Sequence, residues 1–459
     1  MSFQIERFYD KGLAHASYAV VSGREAALID PARDPQPYLD FLADYGARLV
    51  AVVETHPHAD FVSAHAELAL TTGAPVYVSP RVGATYPHQA FAEAGAVIRV
   101  GTVTLRSLDT PGHSPDSICV VLDDEAGVPQ AVFTGDTLFV GATGRPDLRE
   151  DLPATDAASG RPARDILAEQ LFASLHRKLL PLPAATRVLP AHGPGSLCGK
   201  AVSGELESTI GTEAATNAAL QTRERATFVR ELLADQPFVP KYFGASVQLN
   251  KAGAPPLAAA LAPVPRVSSD AALTHGVLVV DTRPAADFRA GHLPGALNLP
   301  DGGKFETWLG SVVGPAEAYY LIAADEAAAD TVLRKAAKIG YEAHVRGLLT
   351  TPPAARLTAT GTLADANAVR ADSGGYTVVD VRNDNEFAQK LFPNAIEIPL
   401  HQLRERLTEI PTDKPLLVHC AGGYRSAAGA SILSAAFPGV RVEDLSEAVT
   451  TFAVLVDVA

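Results

Sequence analysis

Two stretches of the sequence repeat one another, and this repeat is the feature that most limits the possible fold. GVLVVDTRPAADF at residues 276–288 and GYTVVDVRNDNEF at residues 375–387 share an apolar strand, a Val-Asp pair, an Arg and an acidic-Phe pair. An apolar-Pro segment follows in both copies, GALNLP at residues 295–300 and NAIEIP at residues 394–399. A spacing of about one hundred residues is too long for a solenoid module, so the repeat predicts a duplicated α/β domain.

The remaining sequence divides around these two copies. A chain of 459 residues has room for roughly three domains. Before the repeat, short apolar runs predict strands and hairpins, and the segment 213–234 predicts a helix. The Ala- and Pro-rich segment 249–265 predicts a linker, and TPPAAR at residues 351–356 predicts a second break. The predicted domains are residues 1–248, 266–353 and 357–459.

The composition excludes several classes of protein. Hydrophobic residues make up 47% of the chain, so it can bury large cores instead of remaining disordered. The formal net charge of −14 argues against nucleic acid or an anionic membrane as the main partner. No apolar stretch reaches about 18 residues, and no secretory signal is visible. Three cysteines cannot form a complete set of disulfides, so we expect a cytoplasmic protein, which we also expect to form a homo-oligomer.

Histidine and aspartate side chains recur in the loops that follow predicted strands of the first domain. In THPHAD, at residues 55–60, they occupy alternate positions beyond a strand end, and three more lie beside glycines after later strands. Loops on a rigid scaffold can aim such side chains into one pocket, where imidazole and carboxylate groups bind metals. The candidate residues are His56, His58, Asp60, His113, Asp136 and His192.

The sequence around these residues resembles the metallo-β-lactamase superfamily, and more narrowly its persulfide dioxygenase branch. The matching stretches are AHASYAV, LIDPARDP, VVETHPHADFVSAHAELA, DTPGHSPDS, FTGDTLFVGATGRPDL and PAHGPGSLCGK. Over residues 1–245 the resemblance implies an αββα fold and a mononuclear Fe(II) held by two His and one Asp. In this sequence those ligands are His56, His113 and Asp136, which could also hold zinc.

Phe61 departs from the superfamily signature, in which hydrolases with two metals carry His after the Asp. Phenylalanine cannot ligate a metal, so a second metal would keep only Asp60, His192 and a shared Asp136. We therefore expect one metal per chain, with open positions for O₂ and a sulfur anion, as in the facial triad of non-haem iron oxygenases. His58, Asp60 and His192 are then candidates for orienting the ligands or for hydrogen bonds to bound substrate.

Two further residues of the first domain are candidates through the resemblance. Arg145 in GATGRPD matches a position that lies near the thiol substrate in the family, and a salt bridge with Asp147 is the alternative. Cys198 lies six residues after His192 in a Gly-flanked loop, where the resemblance implies a persulfide-handling thiol. A buried, unreactive cysteine is the alternative.

A second candidate site lies in LLVHCAGGYRSAAGAS, at residues 416–431. Backbone N–H groups of residues 421–425 would surround the sulfur of Cys420, and the following helix N-terminus with Arg425 would stabilise its thiolate. Four residues separate Cys420 from Arg425, whereas a phosphatase loop is longer. The shorter ring resembles that of rhodanese sulfurtransferases, in which the cysteine carries a sulfane sulfur. The intervening residues are Ala421, Gly422, Gly423 and Tyr424.

The first copy of the repeat lacks these groups. Strand alignment of YLIAADEAAADTV, at residues 320–332, places Ala324 at the position of Cys420 and Ala329 at that of Arg425. Residues 266–353 are therefore predicted to form an inactive rhodanese-like domain that serves packing and orientation. The second copy has KLFPNA where the first has GHLPGA, so its stabilising partners there are expected to differ.

The domain order resembles fused persulfide-oxidising enzymes. The resemblance implies that the chain oxidises a low-molecular-weight thiol persulfide with O₂ at Fe(II), giving sulfite and thiol. Cys420 would then move sulfane sulfur between thiol, sulfite and thiosulfate. One alternative is a thioester hydrolase of the glyoxalase II type fused to a sulfurtransferase, which needs a binuclear site that Phe61 disfavours. Another is a sulfur-sensing or sulfur-carrier scaffold whose metal is structural.

Overall fold

The computed structural model describes residues 3–93, 97–149, 155–156, 159–200, 202–268, 273–350 and 357–452. The chain forms two compact units, Met1–Ala260 with Lys338–Gly340 and Leu261–Ala337 with Tyr341–Ala459. The break predicted at residues 351–356 lies outside the described residues. Within the described ranges, none of the helices combines the length and the apolar content that crossing a membrane requires.

The first unit contains two six-stranded sheets and a short hairpin. One sheet has the order β1-β2-β3-β4-β5-β6, the other has the order β14-β13-β10-β9-β8-β7, and β11 pairs with β12. The strands are β1 (Gln4–Asp10), β2 (His15–Ser22), β3 (Glu25–Ile29), β4 (Arg48–Val53), β5 (Val76–Val78), β6 (Gln89–Ala90), β7 (Val97–Val100), β8 (Val103–Asp109), β9 (Ile118–Asp123), β10 (Pro129–Gly135), β11 (Leu138–Phe139), β12 (Ala142–Thr143), β13 (Arg187–Pro190) and β14 (Ser208–Thr209).

Helices cover the outer faces of both sheets. A π-helical turn, Leu175–Leu179, continues the third helix directly. The helices of this unit are α1 (Gln36–Tyr45), α2 (His65–Thr72), α3 (Ala163–Ser174), α4 (Ile210–Thr216), α5 (Ala218–Gln221), α6 (Arg225–Leu233), α7 (Phe243–Ala252) and α8 (Leu257–Leu261).

Strand β9 shows how the layers of this unit form. Ile118, Val120 and Leu122 pack into a core shared by the two sheets. Cys119 and Val121 pack on the opposite face, in a cluster that includes residues of α3 and α6. Alternate side chains of a strand point to opposite faces, so both faces of this strand are covered, which explains its continuous apolar sequence. Because α1 and α2 cover the other sheet in the same way, the predicted αββα arrangement is confirmed.

The single helix predicted over residues 213–234 is wrong. The segment contains most of α4 together with α5 and α6, and polar side chains start the two later helices. The Asn217 side chain accepts a hydrogen bond from the backbone N–H of Ala219, and Glu224 accepts hydrogen bonds from two such groups in α6. A side chain that caps a helix N-terminus satisfies free N–H groups there, so these residues favour new helix starts.

The segment 249–265, predicted as a linker, contains the boundary between the two units at Ala260 and Leu261, but much of it is helical. The segment contains the end of α7 and the whole of α8, and both Ala254 and Leu257 are buried. The backbone N–H of Leu257 donates to Glu67 Oε2 at 2.7 Å. Apolar burial and this hydrogen bond attach the part of the segment around Ala254 and Leu257 to the first unit despite its Pro- and Ala-rich composition.

The second unit contains two parallel sheets, with the orders β16-β15-β17-β18 and β19-β23-β22-β20-β21. Helical segments separate consecutive strands, as parallel pairing requires, although between β20 and β22 these are only short 3₁₀ turns. The first copy comprises β15 (Leu278–Asp281), α9 (Ala285–Ala290), β16 (Leu297–Asn298), α10 (Phe305–Val312), β17 (Tyr319–Ala323), α11 (Glu326–Ala337) and β18 (Val345–Thr350). The second comprises β19 (Thr362–Leu363), α12 (Ala366–Ala371), β20 (Thr377–Asp380), β21 (Ile396–Glu397), β22 (Leu416–His419), α13 (Tyr424–Ala436) and β23 (Val442–Asp444).

The strand register corrects the alignment of the two copies by one residue. Asp281 pairs with Ile322 in the first copy, and Asp380 pairs with His419 in the second. The residue that corresponds to Cys420 is therefore Ala323, and the prediction of Ala324 is wrong. The first copy still places an alanine where the second places Cys420.

The repeated Asp-x-Arg sequence forms the same buried ion pair in both copies. Arg283 Nη2 lies 2.6 Å from Asp281 Oδ2 and donates to the carbonyl of Gly291. Arg382 Nη2 lies 2.6 Å from Asp380 Oδ2 and also donates to a backbone carbonyl in the following loop. The pair thus closes the same loop in the second copy even though KLFPNA replaces GHLPGA there.

We expect Arg382→Met to lower the free energy of unfolding by about 3 kcal/mol, because it leaves the Asp380 carboxylate buried without its partner. Urea unfolding of the full chain can be followed through the single tryptophan, Trp308, which lies in the same unit. Arg406→Met is the matched control, because Arg406 and Glu409 form an exposed pair worth less than about 1 kcal/mol. Equal losses in the two variants would contradict this role of the buried pair.

Candidate metal centre and cysteine loop

Three predicted ligands of the first unit lie together. His56 follows β4, His113 lies between β8 and β9, and Asp136 directly follows β10. Asp136 Oδ2 lies 3.9 Å from His56 Nε2 and 3.5 Å from His113 Nε2. Their ligand atoms all lie within 4.8 Å of one another, and all three residues are buried. The arrangement is that of a group able to hold one metal ion.

Hydrogen bonds on the far side of each imidazole determine which ring nitrogen is free. His113 Nδ1 lies 2.8 Å from the carbonyl oxygen of Arg145, which can only accept, so Nδ1 carries the proton. His56 Nδ1 lies 3.0 Å from the hydroxyl of Thr55, which donates its own proton to Asp30 Oδ2. Both Nε2 atoms therefore present lone pairs toward Asp136, as metal ligation requires.

The buried polar atoms of this group fit a metal ion. Among the described residues, His56 Nε2 and both carboxylate oxygens of Asp136 have no hydrogen-bond partner. Leaving a buried polar atom unpaired costs about 1–3 kcal/mol, and a cation would satisfy all of these acceptors at once. Gly144 allows the close packing around them, because a Cβ there would lie 1.9 Å from the carbonyl oxygen of Asp136.

Asp60 and His192 border this group on one side. His192 Nε2 lies 3.3 Å from Asp60 Oδ2 and 3.5 Å from Asp136 Oδ1, and its Nδ1 donates to the carbonyl of Ala14. Burial opposes the charged form of His192, but the carboxylates of Asp136 and Asp60 raise its pKa to about 10. The structure thus places two of the predicted supporting residues beside Asp136.

His58 faces a different set of carboxylates. Its Nε2 lies 3.1 Å from Asp30 Oδ1 and 3.8 Å from Glu54 Oε2. It also lies within 4.8 Å of the ligand atoms of Asp60 and His192, although it is not part of the group that contains His56. His58 thus links the metal centre to a buried acidic cluster behind it.

Arg145 is held by an ion pair. Its guanidinium forms two 2.7 Å contacts with the Asp147 carboxylate and donates to the carbonyl of Leu197. The salt bridge with Asp147, which was the alternative to a contact with the substrate, is therefore present. The Arg145 side chain that forms it is only 2% exposed. Because the Arg145 carbonyl also receives the His113 proton, this residue orders the loop beside the ligands.

Cys198 lies next to the candidate ligands. Its sulfur lies within 4.8 Å of ligand atoms of Asp136 and His192, and the residue is buried. Burial and the nearby charges of Asp60 and Asp136 raise the pKa of the Cys198 thiol well above its usual value. All three cysteines of the chain are free. Cys198 thus joins the metal centre, to which its sequence position alone did not assign it.

Sequence reasoning missed His15, which lies at the start of β2. Its ring lies 3.8 Å from that of Phe61, and its backbone bridges to that of His192. Burial, followed by the neighbouring imidazoles of His192 and His58, lowers the pKa of His15 to about 3. The buried Phe61 ring thus packs between the imidazoles of His15 and His58. The sequence signal that could have identified His15 was its place in AHASYAV, one of the stretches that carry the family resemblance.

The cysteine loop of the second unit has the predicted form. Cys420 follows β22 and is buried, and the backbone N–H of Gly423 donates to its sulfur at 3.1 Å. Gly423 has φ +103°, a conformation that favours glycine, and α13 begins at Tyr424. Arg425 follows at the second position of the helix. The loop therefore places the sulfur beside the start of α13, and of the predicted backbone donors the Gly423 N–H is the one shown to contact it.

Comparisons with known proteins follow the division into two units. A model of the metallo-β-lactamase superfamily matches residues 10–192, and a model of the rhodanese-like domain matches residues 269–348 and 363–446. A crystal structure of a metallo-β-lactamase from Staphylococcus aureus superimposes with a TM-score of 0.68 at 32% identity, covering 76% of this chain and 100% of that one.

Two curated relatives match the first unit. The chain is 32% identical over 171 residues to the human mitochondrial persulfide dioxygenase ETHE1. The aligned region covers 37% of this chain and 59% of that protein. It is 36% identical over 183 residues to hydroxyacylglutathione hydrolase from Cupriavidus metallidurans, covering 38% and 61%. The chain thus spans about three fifths of the length of these relatives.

We expect Phe61→His to raise the zinc content of the purified protein from about one to about two ions per chain, because it adds an imidazole beside Asp60 and His192. Metal content after dialysis against zinc is the measurement, and Phe61→Leu is the apolar control. Two ions in the unaltered protein, or one in Phe61→His, would contradict a site limited by this residue.

Proposed function

Because this chain joins a metallo-β-lactamase domain to two rhodanese-like domains, we propose that it oxidises a low-molecular-weight thiol persulfide with O₂ and transfers sulfane sulfur at Cys420. The observation that carries the proposal is Phe61. Phe61 stands at the sequence position where, by the resemblance, a two-metal hydrolase has a His ligand, and His56, His113 and Asp136 form one group able to hold a metal. Two His and one carboxylate with open positions suit a non-haem Fe(II) oxygenase.

The residues of the first unit would hold one Fe(II), for which zinc is a possible substitute. When bound, the metal supplies adjacent open positions for O₂ and a sulfur anion. Thr55 and the Arg145 carbonyl hold the two imidazoles in the tautomer that ligates. All three ligands are buried, so the protein excludes bulk water from them. A charged substrate group that enters the site would exchange its hydration shell for fixed polar groups of the protein.

The overall reaction balances without a further reductant. One persulfide, one O₂ and one water give one thiol, one sulfite and two protons. His192 and Asp60 would support the sulfur substrate or the ligand Asp136, because His192 Nε2 lies 3.3 Å from Asp60 Oδ2 and 3.5 Å from Asp136 Oδ1. Cys198, beside the same atoms, would handle a persulfide in the pocket.

Cys420 would carry out the second reaction. Its thiolate attacks the outer sulfur of thiosulfate, so that a sulfur–sulfur bond forms to Cys420 and sulfite leaves with the electron pair of the broken bond. A thiol or sulfite then accepts the sulfane sulfur and releases Cys420. The Gly423 N–H and the start of α13 stabilise the sulfur anion during these steps. Fusion in one chain raises the effective concentration of sulfite for this reaction.

A second candidate function is thioester hydrolysis with the same sulfurtransferase. The similarity to hydroxyacylglutathione hydrolase favours it, as does the proximity of Asp60, His192 and Asp136. That reaction would need a filled second metal position, which Phe61 disfavours. O₂ consumption with a persulfide and acid release from a glutathione thioester separate the two candidates.

We expect His113→Gln to remove iron and abolish O₂ consumption with glutathione persulfide, since it deletes a ligand. Protein purified without oxygen is assayed with an O₂ electrode and by iron analysis. His88→Gln is the control, because His88 is exposed and lies outside the group. O₂ consumption that persists without iron would contradict the proposal.

We expect Cys420→Ser to abolish sulfur transfer from thiosulfate to a thiol while iron content and O₂ consumption stay unchanged, because the two sites use separate residues. Thiosulfate-dependent transfer and iron are measured on the same preparation. An equal loss of iron in this variant would contradict the division of labour between the two units.

A further inference from the structure

Arg425, the cation of the cysteine loop, is held by a carboxylate from another part of the second copy. Its Nη1 lies 2.5 Å from Glu386 Oε2, and its Nη2 donates to Glu386 Oε1 at 2.9 Å. Two parallel contacts of this kind fix both the position and the plane of a guanidinium. The Arg425 side chain is 13% exposed and that of Glu386 29%, so water and salt screen the pair only in part.

The backbone around Glu386 keeps this carboxylate in place. Glu386 ends a short 3₁₀ turn, Asp384–Glu386, which follows β20. The backbone N–H of Asn383 donates to Glu386 Oε2 at 3.0 Å. Burial raises the pKa of Glu386, but the Arg425 guanidinium and the Asn383 N–H outweigh it and hold the pKa below its usual value. Glu386 is therefore a carboxylate near neutral pH.

The first copy of the repeat has the same acidic residue without an arginine at the matching place. Asp287 of the first copy corresponds to Glu386, since each directly precedes the repeated Phe. The strand register places Ala328 at the position of Arg425. Asp287 is exposed to solvent. The acidic residue of the repeat therefore pairs with a loop arginine in the copy that has the cysteine.

The backbone of the loop also acts on a sulfur anion at Cys420. The Gly423 N–H donates to the sulfur at 3.1 Å, and α13 begins at the next residue. The start of a helix carries only about half an elementary charge. The acidic side chain of Glu447 also lies close, because a Cβ on Gly423 would lie 3.3 Å from Glu447 Cγ. The charge that Arg425 adds to this loop is therefore reduced by the carboxylate that holds it.

Sulfur donors differ in the charge that they bring to this loop. When the Cys420 thiolate attacks thiosulfate, a bond forms to the outer sulfur and the sulfur–sulfur bond of thiosulfate breaks. Sulfite then leaves with the electron pair and two negative charges. When the same thiolate attacks a protonated persulfide, a thiolate leaves with one negative charge, and the proton stays on the sulfur that Cys420 carries. A local cation therefore favours thiosulfate more than it favours the persulfide.

We propose that Glu386 is a positioning residue that acts through Arg425 and sets the discrimination between donors at Cys420. The inference rests on the proposed sulfurtransferase activity. By fixing and compensating the guanidinium, Glu386 weakens the attraction of the loop for doubly charged thiosulfate relative to a thiol persulfide. Charges elsewhere in the chain stay the same when Glu386 alone is substituted, so a change in the ratio between the two donors measures this role.

The test compares the two donors in the full chain, with cyanide as the acceptor at one saturating concentration. We expect Glu386→Gln to lower the KM for thiosulfate about fivefold relative to the KM for glutathione persulfide, because the amide leaves the guanidinium uncompensated. Glu386→Asp keeps the charge and should leave the ratio of the two KM values within about twofold. Glu409→Gln is the matched control, since Glu409 forms an exposed pair with Arg406 outside the loop.

A binding measurement without turnover completes the test. Calorimetric titration of sulfite at pH 8 into Cys420→Ser and into the Cys420→Ser, Glu386→Gln double variant should show about fivefold tighter binding in the double variant. Trp308 fluorescence during urea unfolding verifies that each variant is folded, and Glu386→Ala provides a second uncharged substitution. An unchanged ratio of KM values, or an equal loss of transfer from both donors, would overturn this role of Glu386. Absence of transfer by the unaltered protein would instead overturn the proposed sulfurtransferase activity.

Discussion

The first unit depends on a set of buried polar atoms that the protein leaves without partners. His56 Nε2 and the Asp136 carboxylate oxygens are enclosed between strand ends, and the described part of the chain supplies them with no hydrogen bond. Such atoms would normally destabilise a fold. The surrounding hydrogen bonds hold the imidazole protons on the opposite side, so every free lone pair converges on one point. A bound cation is the group that resolves this arrangement.

The second unit holds the other candidate site, the loop of Cys420. A parallel sheet places Cys420 at the end of a strand and at the start of a helix, where backbone N–H groups favour an anion. The first copy has the same sheet and the same Asp-x-Arg ion pair, but it has alanine at the nucleophile position. Duplication has thus produced one copy with a cysteine loop and one copy without it, and the contact between Tyr424 and Pro300 joins them.

Several sequence predictions failed for a common reason. The helix predicted over residues 213–234 breaks where Asn217 and Glu224 cap new helices, and apolar periodicity does not reveal which polar residue will cap. The segment 249–265 has the composition of a linker and contains the boundary between the two units, but composition does not show that contacts of Leu257 hold its first part on the first unit. The hydrogen-bond register was needed to show that Ala323 occupies the position equivalent to Cys420. A one-residue shift leaves the apolar pattern of a fully buried strand unchanged, so the sequence could not show it.

The sequence by itself determined the duplicated α/β unit and the set of groups able to bind a metal, because residue type and strand spacing indicate these directly. The αββα arrangement was expected from the resemblance to the metallo-β-lactamase superfamily. His56, His113 and Asp136 could be named because each follows a strand. Only the tertiary structure decided that Arg145 is occupied by Asp147, that His15 packs on Phe61 and that Cys198 lies beside Asp136. These contacts join residues far apart in the chain or depend on side-chain direction, and packing in three dimensions is what sets both.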